Sequence, residues 1–178
     1  MQAPGGKEED TENNFPYGGW EMDFEDDSVS MSEFLGNAGA ILVGRKTYDI
    51  FAPFWPSLGK DVPWYGPFMN NITKYVASTT LDKTEWQNSI LLKGNVADAV
   101  AKLKAEAGKD IYVMGSSNLS QTLMHHNLID EYILLTYPIV LGKGKRLFQN
   151  DCCKQNLELV KSRSSKNGVL VLTYKVKR

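Results

Sequence analysis

The feature that most constrains this chain is an alternation between short apolar runs and stretches with helical spacing. "AILVG" (residues 40–44), "KYVAS" (74–78), "SILL" (89–92) and "DIYVMG" (110–115) are compact enough to be buried strands. Between them lie segments with a helical period. Val96, Val100, Leu103 and Ala107 share one helix face that Gly108 stops, and "SSNLSQTLMHHNL" has the same character. Residues 28–37 permit a helix with Met31, Phe34 and Leu35 on one side, and "RKTYDIF" reads as a short helix ended by Pro53 and Pro56. Strand-helix-strand order requires crossover connections, so residues 28–140 predict an α/β fold with a mostly parallel central sheet flanked by helices. "EYILLTYPIV" is a longer strand. "LELVKSRSSKNGVLVLTYKV" then gives two alternating strands about Asn167-Gly168, an antiparallel hairpin expected at one edge of that sheet.

At 178 residues one domain is expected. Residues 1–27 carry nine acids and one lysine, a net of −8, against 19 bases and 12 acids in the remainder, a net of +7. A positive body suits an anionic small ligand such as a phosphate-bearing cofactor, although a solvated acidic lead-in explains the asymmetry equally well. Phe15, Tyr17, Trp20 and Phe24 among those acids predict a loop that folds back over the protein rather than trailing free. Residues 52–70, rich in Pro, Gly and Trp, read as an irregular loop.

Several function classes are disfavoured. No dense basic stripe with interleaved aromatics points to nucleic acid. No apolar run approaches a membrane span and no signal-like segment is visible, so a cytoplasmic enzyme or binding protein is expected. Cys152 and Cys153, the only cysteines, are neighbours and make a poor staple; a metal or redox role for them needs partners the sequence does not place nearby. His125 and His126, the only histidines, point about 100° apart on a helix. No zinc spacing exists, which disfavours a metal-dependent deaminase.

Two junctions share one design: "VGRKTY" and "VMGSSNL" each run from an apolar strand through glycine into a helix start. A helix start offers backbone N–H groups and partial positive charge to an anion, and glycine permits close approach. Arg45, Lys46 and Thr47 add charge and a hydroxyl to the first, Ser116 and Ser117 hydroxyls to the second. Either alone is also routine helix-start punctuation. On adjacent parallel strand ends, the two together would clamp a diphosphate.

"ILVGRKTYDIF", "YVASTTL", "IYVMGSSNLSQTLM", "NLIDEYIL" and "PIVLGKGKRLF" together resemble, in order and spacing, the dihydrofolate-reductase-like superfamily. The nearest branch is its bacterial riboflavin-biosynthesis reductase-like (RibD C-terminal) members, and the likeness covers essentially the whole chain. The resemblance implies a homodimeric reductase with NADPH as hydride donor and a small pteridine- or pyrimidine-like substrate. It assigns the cofactor phosphates to Gly44, Arg45, Lys46 and Thr47 and to a second loop of Gly115, Ser116, Ser117, Asn118 and Leu119. Ser78 and Thr79 would face the adenosine end; relatives often carry Ser-Arg there, so NADH stays open beside NADPH.

On the substrate side, relatives place an acid on the helix before "GRKT"; Asp26, Asp27 and Glu33 are the nearest acids preceding it, with Asp27 and Glu33 the candidates for a catalytic role or for helix-start capping. Trp20, Phe24, Tyr48, Phe51 and Trp55 either line a flat-ring pocket or belong to the core. In relatives a buried first strand with an Asp-Gly turn leads into a segment like "MQAPGG", which implies a further central strand upstream of Met1. A non-catalytic nucleotide-binding protein on the same fold is the competing class.

Overall fold

The computed structural model describes residues 1–24, 29–58, 63–150 and 152–178. These residues form two compact units, Met31–Thr122 and Met1–Ser30 with Leu123–Arg178. Among them no helix is long and apolar enough to cross a membrane.

The first unit is built on four parallel strands: β1 (Ala38–Gly44), β2 (Thr73–Ala77), β3 (Ser89–Leu92) and β4 (Asp110–Val113), in the order β3-β2-β1-β4. Ala40, Ile41, Leu42 and Val43 of β1 are all buried, as expected for an interior strand covered on both faces. The α-helices among the described residues are, in chain order, α1 (Met31–Leu35), α2 (Arg45–Leu58), α3 (Tyr65–Asn71), α4 (Val96–Ala105) and α5 (Ser117–His125), the last running across the boundary at Thr122. The Asn95 side chain caps α4 by accepting from the Ala97 and Asp98 amides.

α2 differs from the sequence reading. It runs 14 residues and contains Pro53 and Pro56 rather than ending at them, and α3 occupies part of the expected 52–70 loop. Each interior proline deprives a carbonyl four residues earlier of its donor, at about 3 kcal/mol in a regular helix. Both prolines lie on the exposed side, while Tyr48 and Trp55 are buried. An aromatic ring that buries about 150–250 Å² contributes roughly 4–6 kcal/mol at 25 cal/mol/Å², enough to carry the helix through the prolines.

Ile41, Val43, Tyr48, Trp55, Met69, Ile72, Val76 and Trp86 form one core cluster, with Phe51 packed against it. Lys74 is fully buried at its margin. Its Nζ donates to the carbonyls of Met69 (2.9 Å), Asn70 (3.1 Å) and Ile72 (2.8 Å) at the end of α3, and stands 4.2 Å from the centre of the Trp86 ring. Burial pushes this ammonium down from 10.5 to about 8.

The second unit holds β5 (Glu131–Thr136), β6 (Asn156–Ser164) and β7 (Leu170–Lys177), antiparallel in the order β5-β7-β6. The hairpin therefore forms as predicted, but it pairs with β5 in a separate sheet instead of extending the parallel one. Its turn is closed by the Gly168 amide on the Ser165 carbonyl, with Gly168 at φ 80°. β5 stops at Thr136, short of the expected 140, because Pro138 has no N–H for the ladder.

The acidic lead-in does fold back. Trp20 and Phe24 pack edge-on against Tyr137, and the Tyr137 hydroxyl donates to Glu21 at 2.5 Å. Buried Gln2 donates to Asp10 and to the Glu12 carbonyl while its own Oε1 accepts from the Lys145 amide. Lys145 pairs with Asp10 and, at 2.7 Å, with Glu12. Burial acts to raise the Asp10 carboxyl, but the hydrogen bonds and charge of Lys145, with help from the Glu12 amide and Gln2, hold it below the usual range.

Candidate functional site

Register places the carboxyl ends of β2, β1 and β4 side by side, with Gly44 opposite Ala77 and Leu42 opposite Val113. The two glycine junctions therefore leave neighbouring parallel strands, as the sequence required for a joint site. They also interlock. The Gly44 amide donates to Ser116 Oγ at 2.7 Å, and Thr47 Oγ1 lies 2.8 Å from the same oxygen. A β-carbon on Gly44 would meet Ser116 Oγ at 3.1 Å and Ser116 Cβ at 3.3 Å; one on Gly115 would meet Thr47 Oγ1 at 3.1 Å.

This revises the reason for the glycines. At both positions the space a β-carbon would fill is taken by a hydroxyl residue of the opposite loop, so glycine is needed here for loop-to-loop packing. Gly115 and Ser116 follow one another in left-handed backbone, at φ 60° and 61°. Serine costs about 1–2 kcal/mol in that conformation, of the same order as the hydrogen bonds its hydroxyl makes. The Ser116 carbonyl then accepts from the Ser120 amide, which starts α5.

α2 and α5 thus begin beside each other. Helix geometry leaves the first-turn amides of each without partners inside their own helix. Gly44's amide is already engaged by Ser116. Lys46, Gly115 and Asn118 are exposed, Arg45, Thr47, Ser116 and Ser117 half-buried. Leu119 is buried, and its Cβ lies 3.8 Å from where a β-carbon on Gly44 would stand, so its side chain supports the loop from beneath.

Arg45 is held in place: Nε bonds Asp49 at 2.8 and 2.7 Å, and Nη1 reaches Thr80 Oγ1 at 3.3 Å. Its guanidinium therefore stands beside the loop after β2. Ser78 Oγ accepts from the amides of Thr80 and Leu81, closing that loop, and Thr79 at its tip is exposed. Asp49 and Thr80 were not singled out from sequence. The i,i+4 spacing of Arg45 and Asp49 on a helix was the available signal for the first; the Thr80 contact spans 35 positions and has none.

The remaining candidates divide. Tyr48 accepts the amides of Glu85 and Trp86 on its hydroxyl and is buried, Trp55 is buried against Tyr65, and Phe51 packs edge-on to Trp55. These three are accounted for by the core of the first unit. Trp20 and Phe24 gather around Tyr137 in the second, so the five rings do not form one group within either unit. Glu33 is exposed on α1. Asp26 and Asp27 lie outside the described residues. Among the described residues, no group of three or more His, Cys, Asp or Glu side chains comes together.

Residues 10–171 match the family model of the RibD C-terminal domain. The chain is 32% identical over 154 residues to the uncharacterized protein YyaP of Bacillus subtilis (strain 168), covering 84% of this chain and 80% of that one. Among solved structures it is similar to a protein of Shewanella sp. PV-4 whose name ties it to riboflavin biosynthesis, with a TM-score of 0.68, 24% identity, and coverage of 86% and 84%. It is also similar to a pyrimidine reductase-like protein of Corynebacterium diphtheriae, with a TM-score of 0.51, 19% identity, and coverage of 79% and 77%. At these identities the structural matches establish the fold.

Proposed function

Because the chain belongs to the RibD C-terminal domain family, we propose that it is a cytoplasmic, homodimeric reductase using NADPH to reduce a small pteridine- or pyrimidine-like ring. The observation that carries this reading is the interlocked pair of glycine loops at the carboxyl ends of β1 and β4, from which two helix N-termini start side by side. Such a pair favours a diphosphate through backbone N–H groups and aligned dipoles.

In this reading the first-turn amides of α2 and α5 hold the diphosphate. Lys46 and the hydroxyls of Thr47 and Ser117 flank it, and Asn118 lies beside them. Ser116 fixes the spacing between the loops. Arg45, beside the Ser78–Thr79–Thr80 loop, supplies the fixed charge for a 2′-phosphate, which favours NADPH over NADH although Thr79 stands where relatives have arginine. The bound nicotinamide would supply a hydride. Asp27 and Glu33 are the candidates for delivering a proton to the substrate ring.

Thermal unfolding with NADPH, NADH and neither tests the binding half, because a ligand of the folded state raises stability with the logarithm of its concentration over Kd. NADPH is expected to stabilise most, and Arg45→Met to weaken NADPH about tenfold or more while changing NADH little. No shift with either dinucleotide at millimolar concentration would refute the reading. Oxidation of reduced cofactor against pterin, flavin-precursor and pyrimidine candidates tests the catalytic half. A second reading, a non-catalytic nucleotide-binding protein, is favoured by the exposure of Glu33 and predicts stabilisation without oxidation of any candidate.

A further inference from the structure

β6 is an outer strand of its sheet: among the described residues it pairs with β7 and with no other strand. An outer strand turns a row of backbone N–H and C=O groups outward, a template for pairing with another chain. In the middle of β6 stand two apolar side chains, Leu159 at 52% and Val160 at 58% exposure. Glu158 and Lys161 flank them and are exposed as well, so the centre of the edge reads Glu-Leu-Val-Lys. Within the chain Glu158 reaches Lys177 at 3.6 Å, a loose pair at the surface.

We propose that β6 is a self-pairing edge, through which a second copy of this chain joins its sheet antiparallel to the first. The proposal deepens the homodimer reading above by giving it a surface, and it does not depend on the reductase chemistry. Register carries it. Glu158 lies opposite Lys175 of β7, Leu159 opposite Tyr174 and Lys161 opposite Thr173, so Val160 is the extra residue of a bulge. Alternation along a regular strand would send residues 158 and 161 to opposite faces of the sheet. The bulge brings both to one face, since their partners Lys175 and Thr173 share a face of β7. A two-fold axis between residues 159 and 160 then sets Glu158 of each copy against Lys161 of the other, with the faces matched. Leu159 of each copy meets Val160 of the other around the axis. Such an interface is isologous, so one complementary pair is made twice. A bulge and a lysine also blunt the edge of a strand that stays single. Here the two-fold gives the lysine its acid, and both residues at the bulge are apolar, which a guarded edge would not display.

Sedimentation velocity of the full chain over a range of concentrations tests this, and a dimer is expected. Lys161→Glu gathers only acids about the axis and Glu158→Lys only bases, so each should weaken self-association about tenfold or more. Mixed in equal amounts, the two variants should form a mixed dimer, because every 158–161 contact between them joins opposite charges. An ion pair within one chain cannot produce that result. Both changes sit on exposed side chains, so thermal unfolding should stay near that of the wild type. Should either variant fail to fold, Val160→Lys decides and should dissociate the dimer in the same way. A wild-type chain that is monomeric at every concentration overturns the proposal and the homodimer reading together. A dimer that survives these substitutions, or charge-reversed variants that stay apart on mixing, overturns the β6 surface alone.

Discussion

Gly44→Ala tests whether the two glycine loops are built for each other. In the wild-type background the new β-carbon meets Ser116 Oγ at 3.1 Å and Ser116 Cβ at 3.3 Å, inside the distance at which carbon contacts are attractive. Ser116 can yield only by leaving the Gly44 amide at 2.7 Å and Thr47 at 2.8 Å. An N–H left without its acceptor costs about 1–3 kcal/mol, and overpacking adds about 1–3. Against this, alanine gains roughly 0.4–1 kcal/mol by restricting the unfolded chain, since Gly44 does not need positive φ. The expected net loss is about 1–5 kcal/mol. In a Ser116→Gly background the two crowding atoms are gone, and the nearest remaining contact is Leu119 Cβ at an ordinary 3.8 Å. There Gly44→Ala should be neutral or stabilising by up to about 1 kcal/mol. Urea unfolding of the four proteins at constant m yields a coupling energy of about 1–6 kcal/mol. Equal cost in both backgrounds, with coupling within about 0.5 kcal/mol, would refute the reasoning and return Gly44 to the role of admitting a ligand.

Three further outcomes follow from the structure. The folded-state Lys74 value of about 8 lies below the ordinary 10.5, so the unfolded chain binds the extra proton between them and stability rises with pH across that window. The rise is about 3 kcal/mol, measured as the difference between wild type and Lys74→Met from pH 7 to 11; a flat difference contradicts it. Asp10, held below its usual range, contributes stability that is present above the ordinary carboxylate range and lost as pH falls through its folded value. Acid unfolding monitored by Trp fluorescence should therefore depend less steeply on pH in Asp10→Asn, and an unchanged profile would exclude the contribution. Lys145→Met leaves Asp10 and Glu12 facing each other without a cation and should cost about 1–3 kcal/mol, read as a loss of protection from proteolysis in residues 1–24; undiminished protection would refute it.

Local pattern revealed the strands, the hairpin turn, the apolar face of α4 and the two glycine junctions, because each is written within a few neighbouring residues. Contacts made across long separations were not legible. The meeting of Thr47 with Ser116 spans 69 positions, and nothing local distinguishes a serine aimed at a partner loop from one aimed at a ligand. Pro53 and Pro56 read as a helix end because their local penalty is visible while the offsetting burial of Tyr48 and Trp55 is tertiary. The spacing of Tyr48, Phe51 and Trp55, one helical face, was the signal that these rings belong to the core. The hairpin's choice of β5 over the parallel sheet is likewise a matter of register between distant segments.

The burial of Lys74 turns that residue into a reporter. Reagents that acylate amines have no path to a side chain with no exposed surface. Its neutral form is more abundant near pH 8 than that of an ordinary surface lysine, so accessibility rather than protonation limits the reaction. Modification at Lys74 must wait until the corner between α3 and β2 opens. When reclosing is fast, the slow labelling rate at this one position, read by peptide mass mapping against the exposed lysines, measures how often that corner of the core breathes.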